Sequence, residues 1–230
     1  MAYGFADVFS GWHRHLHTFC LFIAFWCYFQ ACLTAPDFPS KRYLDVVTAD
    51  HGYHFGAWGW CDVKQDNCTE SSLKYDISGT LRTALAYPTL SGGYTTATGL
   101  MFFIPFTAAL CAVACIVSVF RPKFSHKLQN LADIVAIDCA VLLFGTLAFV
   151  SEWITFWHLG HYLTSHTKAG VARHSATHWG MFVGWLFLLP PPYLAWTARR
   201  AALERTGPFG SRPEGPAPGA PPPPPPAHHH

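Results

Sequence analysis

Four stretches of this chain are apolar over the length that a bilayer core demands, and that pattern excludes most architectures. They run from about Leu16 to Ala35, Gly99 to Phe120, Leu131 to Ser151 and Trp179 to Ala198. A hydrocarbon core of about 30 Å is crossed by roughly 20 helical residues, and a helix meets its own backbone hydrogen bonds where no water can. Hydrophobic residues make up 51% of the chain and charged ones 12%, and the connections between the blocks are too short to form a second soluble domain. The expected fold class is all-α membrane: a four-transmembrane-helix bundle over residues 16–198, with an N-terminal segment 1–15 and a tail 199–230.

Arg14 with His13, His15 and His17 precedes the first block, as in a signal peptide. The block is longer than the roughly 7–15 apolar residues of a cleaved signal, so it reads as a retained anchor. Lysine and arginine near the spans set the orientation. Arg121, Lys123 and Lys127 fill the short connection between the second and third blocks, and Arg199, Arg200 and Arg205 follow the fourth. Both regions belong in the cytosol, with Arg14 in agreement. The connections 36–98 and 152–178 then lie outside, and both termini inside.

The long outer connection has strand character at Tyr43 to Thr48 and again from Phe55 to Val63, where β-branched and aromatic residues gather. His51-Gly52 and Gly56 supply turn residues. A sheet this small is marginal alone. Cys61 and Cys68, in the same loop, are either bridged to one another or free or differently paired. A bridge across so short a loop would contribute about 2–3 kcal/mol, and an oxidising outer compartment permits it. The expected architecture therefore adds a small disulfide-pinned extracellular β-layer to the bundle. Asn67-Cys68-Thr69 is formally a glycosylation sequon at Asn67. Cys20, Cys27, Cys32, Cys111, Cys115 and Cys139 lie inside spans and read as small packing residues, Cys20 being near enough to the cytosolic face for acylation.

From Gly207 onward the chain is Pro, Gly and Ala with hardly a bulky apolar side chain. Such a tail has too little surface to bury and stays extended, partly as polyproline II.

Phe55-Gly56-Ala57-Trp58-Gly59-Trp60-Cys61, then Cys68, then Ser72-Leu73-Lys74-Tyr75-Asp76 resemble the outer-loop signature of a fungal tetraspan family. That family joins the pH-response regulator PalI to the cortical-patch (eisosome) proteins, and is similar in layout to the claudins. Within the motif, Gly56, Trp58, Gly59 and Trp60 carry the likeness. The resemblance implies a plasma-membrane protein that is not an enzyme and needs no cofactor or metal. Its partners would be membrane lipids and another membrane protein such as a seven-span ambient-pH sensor, whose surface localisation or stability it assists. The cortical-patch branch implies instead an organiser of static membrane domains. Nucleic acid is no partner on this reading, and homo-oligomerisation is left open.

Histidines are the second unusual feature. His158, His161, His166, His174 and His178 fall in or beside the second outer connection, and imidazole is the side chain whose charge changes in the ambient pH range. Either mutual repulsion among the five makes a pH-responsive device, or they are bystanders of an exposed, aromatic-rich loop at the membrane interface. The same residues, as His158-x-x-His161 and His174-x-x-x-His178, also resemble two histidine boxes of a di-iron membrane enzyme. Such enzymes need more boxes, at the cytosolic face, which makes this a remote alternative. No Ser-His-Asp order, phosphate loop or nucleotide-binding glycine motif is present. Asp133 lies near the cytosolic interface, Asp138 about a turn and a half deeper, and Glu152 at the outer end of the third block. Asp138 is the candidate for a buried polar contact, since a carboxylate in lipid is costly; no partner for it is evident in another span. Pro190-Pro191-Pro192 should break or kink the last span.

Overall fold

The computed structural model describes residues 5–48, 50–73, 75–85, 93–120, 128–166 and 171–206; the proline-rich tail, the basic connection 121–127 and Lys74 lie outside them. Helix α1, Phe5–Cys32, buries Leu21, Ala24, Tyr28 and Ala31, a spacing of three and four that sets one face toward the bundle. Its opposite face carries Trp12, Phe19, Phe22, Trp26 and Phe29, all exposed. After α2, Ile77–Leu85, and α3, Gly93–Gly99, a single 3-10 turn leads into α4, Phe103–Phe120. Helix α5, Leu128–Glu152, passes through a π-helical turn at Trp153–Trp157 into α6, His158–His166.

Three helical runs are long and apolar enough to cross a membrane: Trp12–Cys32, Thr96–Phe120 and Ala132–Ser165. The expected fourth span is divided into α7, Ala176–Leu188, and α8, Pro190–Thr206. The three prolines occupy the first turn of α8, where a missing N–H costs nothing but the preceding helix cannot continue through them. Both halves pack against α1 and α5. Glycines let the helices approach closely: a Cβ on Gly184 would lie 2.7 Å from Cys27 Cβ, and one on Gly145 would lie 2.2 Å from Leu188 Cδ1.

One end of the bundle carries an antiparallel sheet of order β4-β3-β2-β1-β5. Its strands are β1, Leu44–Val47; β2, Gly52–Phe55; β3, Trp60–Asp62; β4, Asn67–Cys68; and β5, Val171–His174. Only β1 matches the strands expected from sequence. The stretch Phe55 to Val63 is not one strand: Phe55 ends β2, residues 56–59 turn, and β3 follows. His51-Gly52 is not wholly turn, for Gly52 begins β2 while Thr48 N–H donates to His51 O at 2.9 Å to close the hairpin. Strand β5 comes from the other connection and pairs Leu44 with His174 across the open edge of β1.

The expected loop 152–178 is also corrected. It is helical as far as His166, because Phe156, Leu159 and Leu163 recur at helical spacing and are buried beneath the sheet. Between bundle and sheet, Tyr43 stacks on Phe156 with centroids 5.0 Å apart. Tyr28, Tyr43, Phe55 and Phe156 are fully buried there, so the sheet and helices share one core.

Candidate functional site

The Gly-aromatic-Cys motif fastens the sheet to the end of α1. Trp58 Nε1 donates to Cys32 O at 2.8 Å, taking one of the carbonyls that the helix end leaves without a partner. Ala57 N–H donates to Thr34 Oγ1 at 2.9 Å. Gly56 passes so close to the chain that a Cβ there would lie 2.3 Å from Ala35 O, so no other residue fits. Its carbonyl accepts from Tyr75 Oη at 2.7 Å, and burial pushes that phenol's pKa well up. Gly59 O accepts from Gly56 N–H at 2.9 Å, closing the turn before β3. Trp60 meets Tyr53 edge to face at 5.3 Å. Cys61 and Cys68 are disulfide-bonded and directly paired between β3 and β4. Asn67 is exposed on β4.

Asp62 pins the hairpin beside the motif. It accepts from Gly52 N–H at 3.0 Å and Lys64 N–H at 3.1 Å, and meets His51 Nδ1 at 2.5 Å. Burial alone would raise its pKa, but these bonds outweigh it and hold the carboxyl below its ordinary value.

Of the five histidines, the structure brings His174 and His178 together. His158 Nδ1 meets Tyr94 Oη at 2.8 Å, His161 is exposed, and the side chain of His166 lies outside the described residues. His174 and His178 come together, their rings stacked at 4.6 Å. His178 is not a loop residue: it is fully buried in the first turn of α7, with Nδ1 2.5 Å from Glu152 Oε1, itself fully buried. Trp153 and Trp157 of the π turn stack on His178 at 5.2 and 5.8 Å, and Trp157 on His174 at 5.0 Å. Among the described residues, three buried polar atoms of this cluster find no hydrogen-bond partner: Glu152 Oε2, His174 Nδ1 and His178 Nε2. Ser175, between the two histidines, caps α7 by accepting from Thr177 N–H at 3.2 Å, and its own N–H donates to Tyr43 O at 3.1 Å. Its hydroxyl donates to Arg42 O. The histidine pairs do not converge as boxes, and among the described residues no three His, Cys, Asp or Glu side chains are gathered as a metal would need.

A second polar group lies at the opposite end of the bundle. Asp138 Oδ2 meets His17 Nε2 at 2.7 Å; His17 Nδ1 meets Ser118 Oγ at 3.0 Å; Ser118 Oγ meets Thr18 Oγ1 at 2.7 Å. The sequence offered Asp138 no partner, and the fold supplies His17 from α1. It also assembles a Ser–His–Asp line that no chain order reveals. His17, Ser118 and Asp138 are 3%, 1% and 1% exposed, and the line joins α1, α4 and α5 as a buried polar network. Cys20, considered for acylation, is buried as well.

Sequence reasoning singled out Glu152 and His178 separately but not as a pair. The signal was the carboxylate at a span end with a histidine opening the next block, and only the fold fixes which histidine it takes. Curated proteins include no match to this chain. A family model described as the SUR7/PalI family matches residues 13–189, which takes in most of α1, the whole sheet, the Glu152–His178 pair and α7; the chain belongs to the SUR7/PalI family.

Proposed function

We propose that this protein is a non-catalytic plasma-membrane accessory of ambient-pH sensing, which holds a membrane sensor such as a seven-span receptor at the cell surface. The sheet end faces outside and both termini face the cytosol, as the distribution of Lys and Arg near the spans requires. The observation that carries the reading is the sheet itself. Two connections far apart in sequence are joined into one disulfide-closed surface and fastened to α1 by Trp58, so a partner meets a pre-ordered platform and spends little ordering entropy on binding. The test is to tag a candidate sensor and quantify it at the surface of cells with and without this chain. Loss of surface sensor with unchanged total synthesis supports the role; unchanged surface sensor and an unchanged pH response overturn it.

The cortical-patch reading has one observation of its own. The outward face of α1 is aromatic along its length, from Trp12 to Phe29, whereas α5 turns Leu143, Leu147 and Val150 outward. Aromatic side chains bring large contact area and favour stacked or edge-to-face pairing, which suits lateral packing with other membrane components. Replacing Phe19, Phe22 and Trp26 by Leu should raise lateral mobility in photobleaching if the organiser role holds, and leave it unchanged if it does not.

A further inference from the structure

We propose that His174 is a proton-operated latch: its neutral ring holds β5 against β1, and protonation expels the ring, releases β5 and opens the edge of β1 to a partner strand. The inference rests on the pH-response reading only for what the latch serves; the device itself is argued from the cluster.

The ring is clamped from three elements. Trp157 of the π turn stacks on it at 5.0 Å and His178 of α7 at 4.6 Å, and those two rings lie 5.8 Å from one another, so the three pack as one cluster. Gly160 of α6 forms the floor, where a Cβ would lie 2.8 Å from His174 Cε1 and 3.1 Å from Leu44 Cδ1 of β1. His174 Nδ1 is buried there with no hydrogen-bond partner among the described residues. A neutral ring can leave that nitrogen as a bare acceptor. Protonation puts an N–H and a full charge on a nitrogen that no acceptor among the described residues reaches, a state far costlier than an unmet lone pair.

The titratable groups facing the slot do not rescue the charge. From α7 comes His178, itself a base; from α5 comes Glu152, whose Oε1 is taken by His178 Nδ1 and whose Oε2 makes no hydrogen bond to the His174 ring. The Tyr28 and Tyr43 phenols near Glu152 are committed to Gly145 O at 2.8 Å and Ala31 O at 3.2 Å. The β1 residue paired with His174 is Leu44, which brings no charge. The route to relief is outward, since β5 is the sheet's edge strand.

Expulsion moves more than one side chain. His174 is the last residue of β5, and Ser175 immediately after it binds Tyr43 O and Arg42 O while capping α7. Pulling the ring out strains that junction and unzips β5 from β1, leaving β1 with a row of unmet backbone groups. Such an edge is a ready template for strand addition.

The test is hydrogen exchange of the β1 and β5 amides in the full chain, purified into lipid nanodiscs, from pH 7.5 to pH 4 and corrected for the intrinsic pH dependence of exchange. The native chain should lose protection in β1 and β5 by about tenfold or more on acidification while β2 and β3 stay protected. His174→Phe keeps a flat ring and removes the proton site, so protection should persist at low pH. Gly160→Ala places a methyl group in the slot, in a helix that Ala favours, and should release β5 at pH 7.5. An acid response in His174→Phe equal to that of the native chain overturns the latch, as does a native chain with no local response. If Gly160→Ala loses protection throughout the sheet, it has misfolded and His174→Phe alone decides. No sensor is present in this experiment, so a working latch beside a failed surface-delivery assay separates the two proposals.

Discussion

His17 Nε2 lies 2.7 Å from Asp138 Oδ2 across 121 positions of sequence, with both side chains almost wholly buried between α1 and α5. Ser118 and Thr18 extend the contact to α4 and back to α1. In an apolar interior such a network does little for stability when complete, but an isolated partner left behind is costly.

Removing one partner should therefore hurt more than removing both. Asp138→Leu leaves the His17 ring without its acceptor and should lower stability by about 1–3 kcal/mol. The double change His17→Leu with Asp138→Leu should recover most of that loss. Thermal unfolding of Asp138→Leu, of His17→Leu and of the double variant in detergent decides it: additive losses would mean that the two residues are not coupled.

Trp58 offers a test of the platform. Trp58→Phe keeps an aromatic body and deletes only the N–H that reaches Cys32 O. A hydrogen bond of this kind is worth about 0.5–1.5 kcal/mol, so proteolysis of the loop should quicken while the helices remain intact. An unchanged cleavage rate would mean that packing alone holds the sheet down.

Cys61→Ser opens the link between β3 and β4 and restores freedom to the unfolded loop, a loss of about 2–3 kcal/mol for a ring this small. Trp60, resting against Tyr53, should become more accessible to aqueous quenchers, and surface delivery should fall. Normal delivery of both Cys61→Ser and Cys68→Ser would make the bond dispensable.

These sites were legible to different degrees, for physical reasons. A block of apolar residues reports its own burial, so α1, α4 and α5 could be read without knowing their neighbours. Trp58, Gly59, Trp60 and Cys61 form a local string whose composition marks a tight, pinned turn. Strand β5 gave no such signal: Val171-Ala172-Arg173-His174 holds one β-branched residue and is a strand only because β1 offers it an edge. His17 looked like one of a basic group with His13 and Arg14, and its role depends on a carboxylate contributed by another helix. Glu152 and His178 were set apart as a span end and a loop histidine, because the helical continuation to His166, which brings the π turn under the sheet, is driven by tertiary packing of Phe156 and Leu159.

Topology supplies a fourth prediction. An accessibility tag at Lys64, beside the disulfide-closed hairpin, should react with a membrane-impermeant reagent in intact cells, and one at Arg200 in α8 should react only after permeabilisation. Labelling of Arg200 in intact cells would invert the orientation and remove the sheet from the outside medium.

The pH dependence of stability follows from His174. Burial first, and then the neighbouring His178, push its pKa down from 6.5 to about 4. The unfolded chain therefore binds a proton near pH 6.5 that the folded chain refuses until about pH 4, so stability rises with pH through that interval. The contribution is complete above the unfolded value and is lost progressively as acid approaches the folded one. Because the ring is only half-buried, solvent screening reduces the size of the effect without changing its sign. The unfolding midpoint of the native chain should thus fall between pH 7 and pH 4 more steeply than that of His174→Phe, whose ring fills the same space without titrating. Parallel curves for the two proteins would place the acid sensitivity at another group.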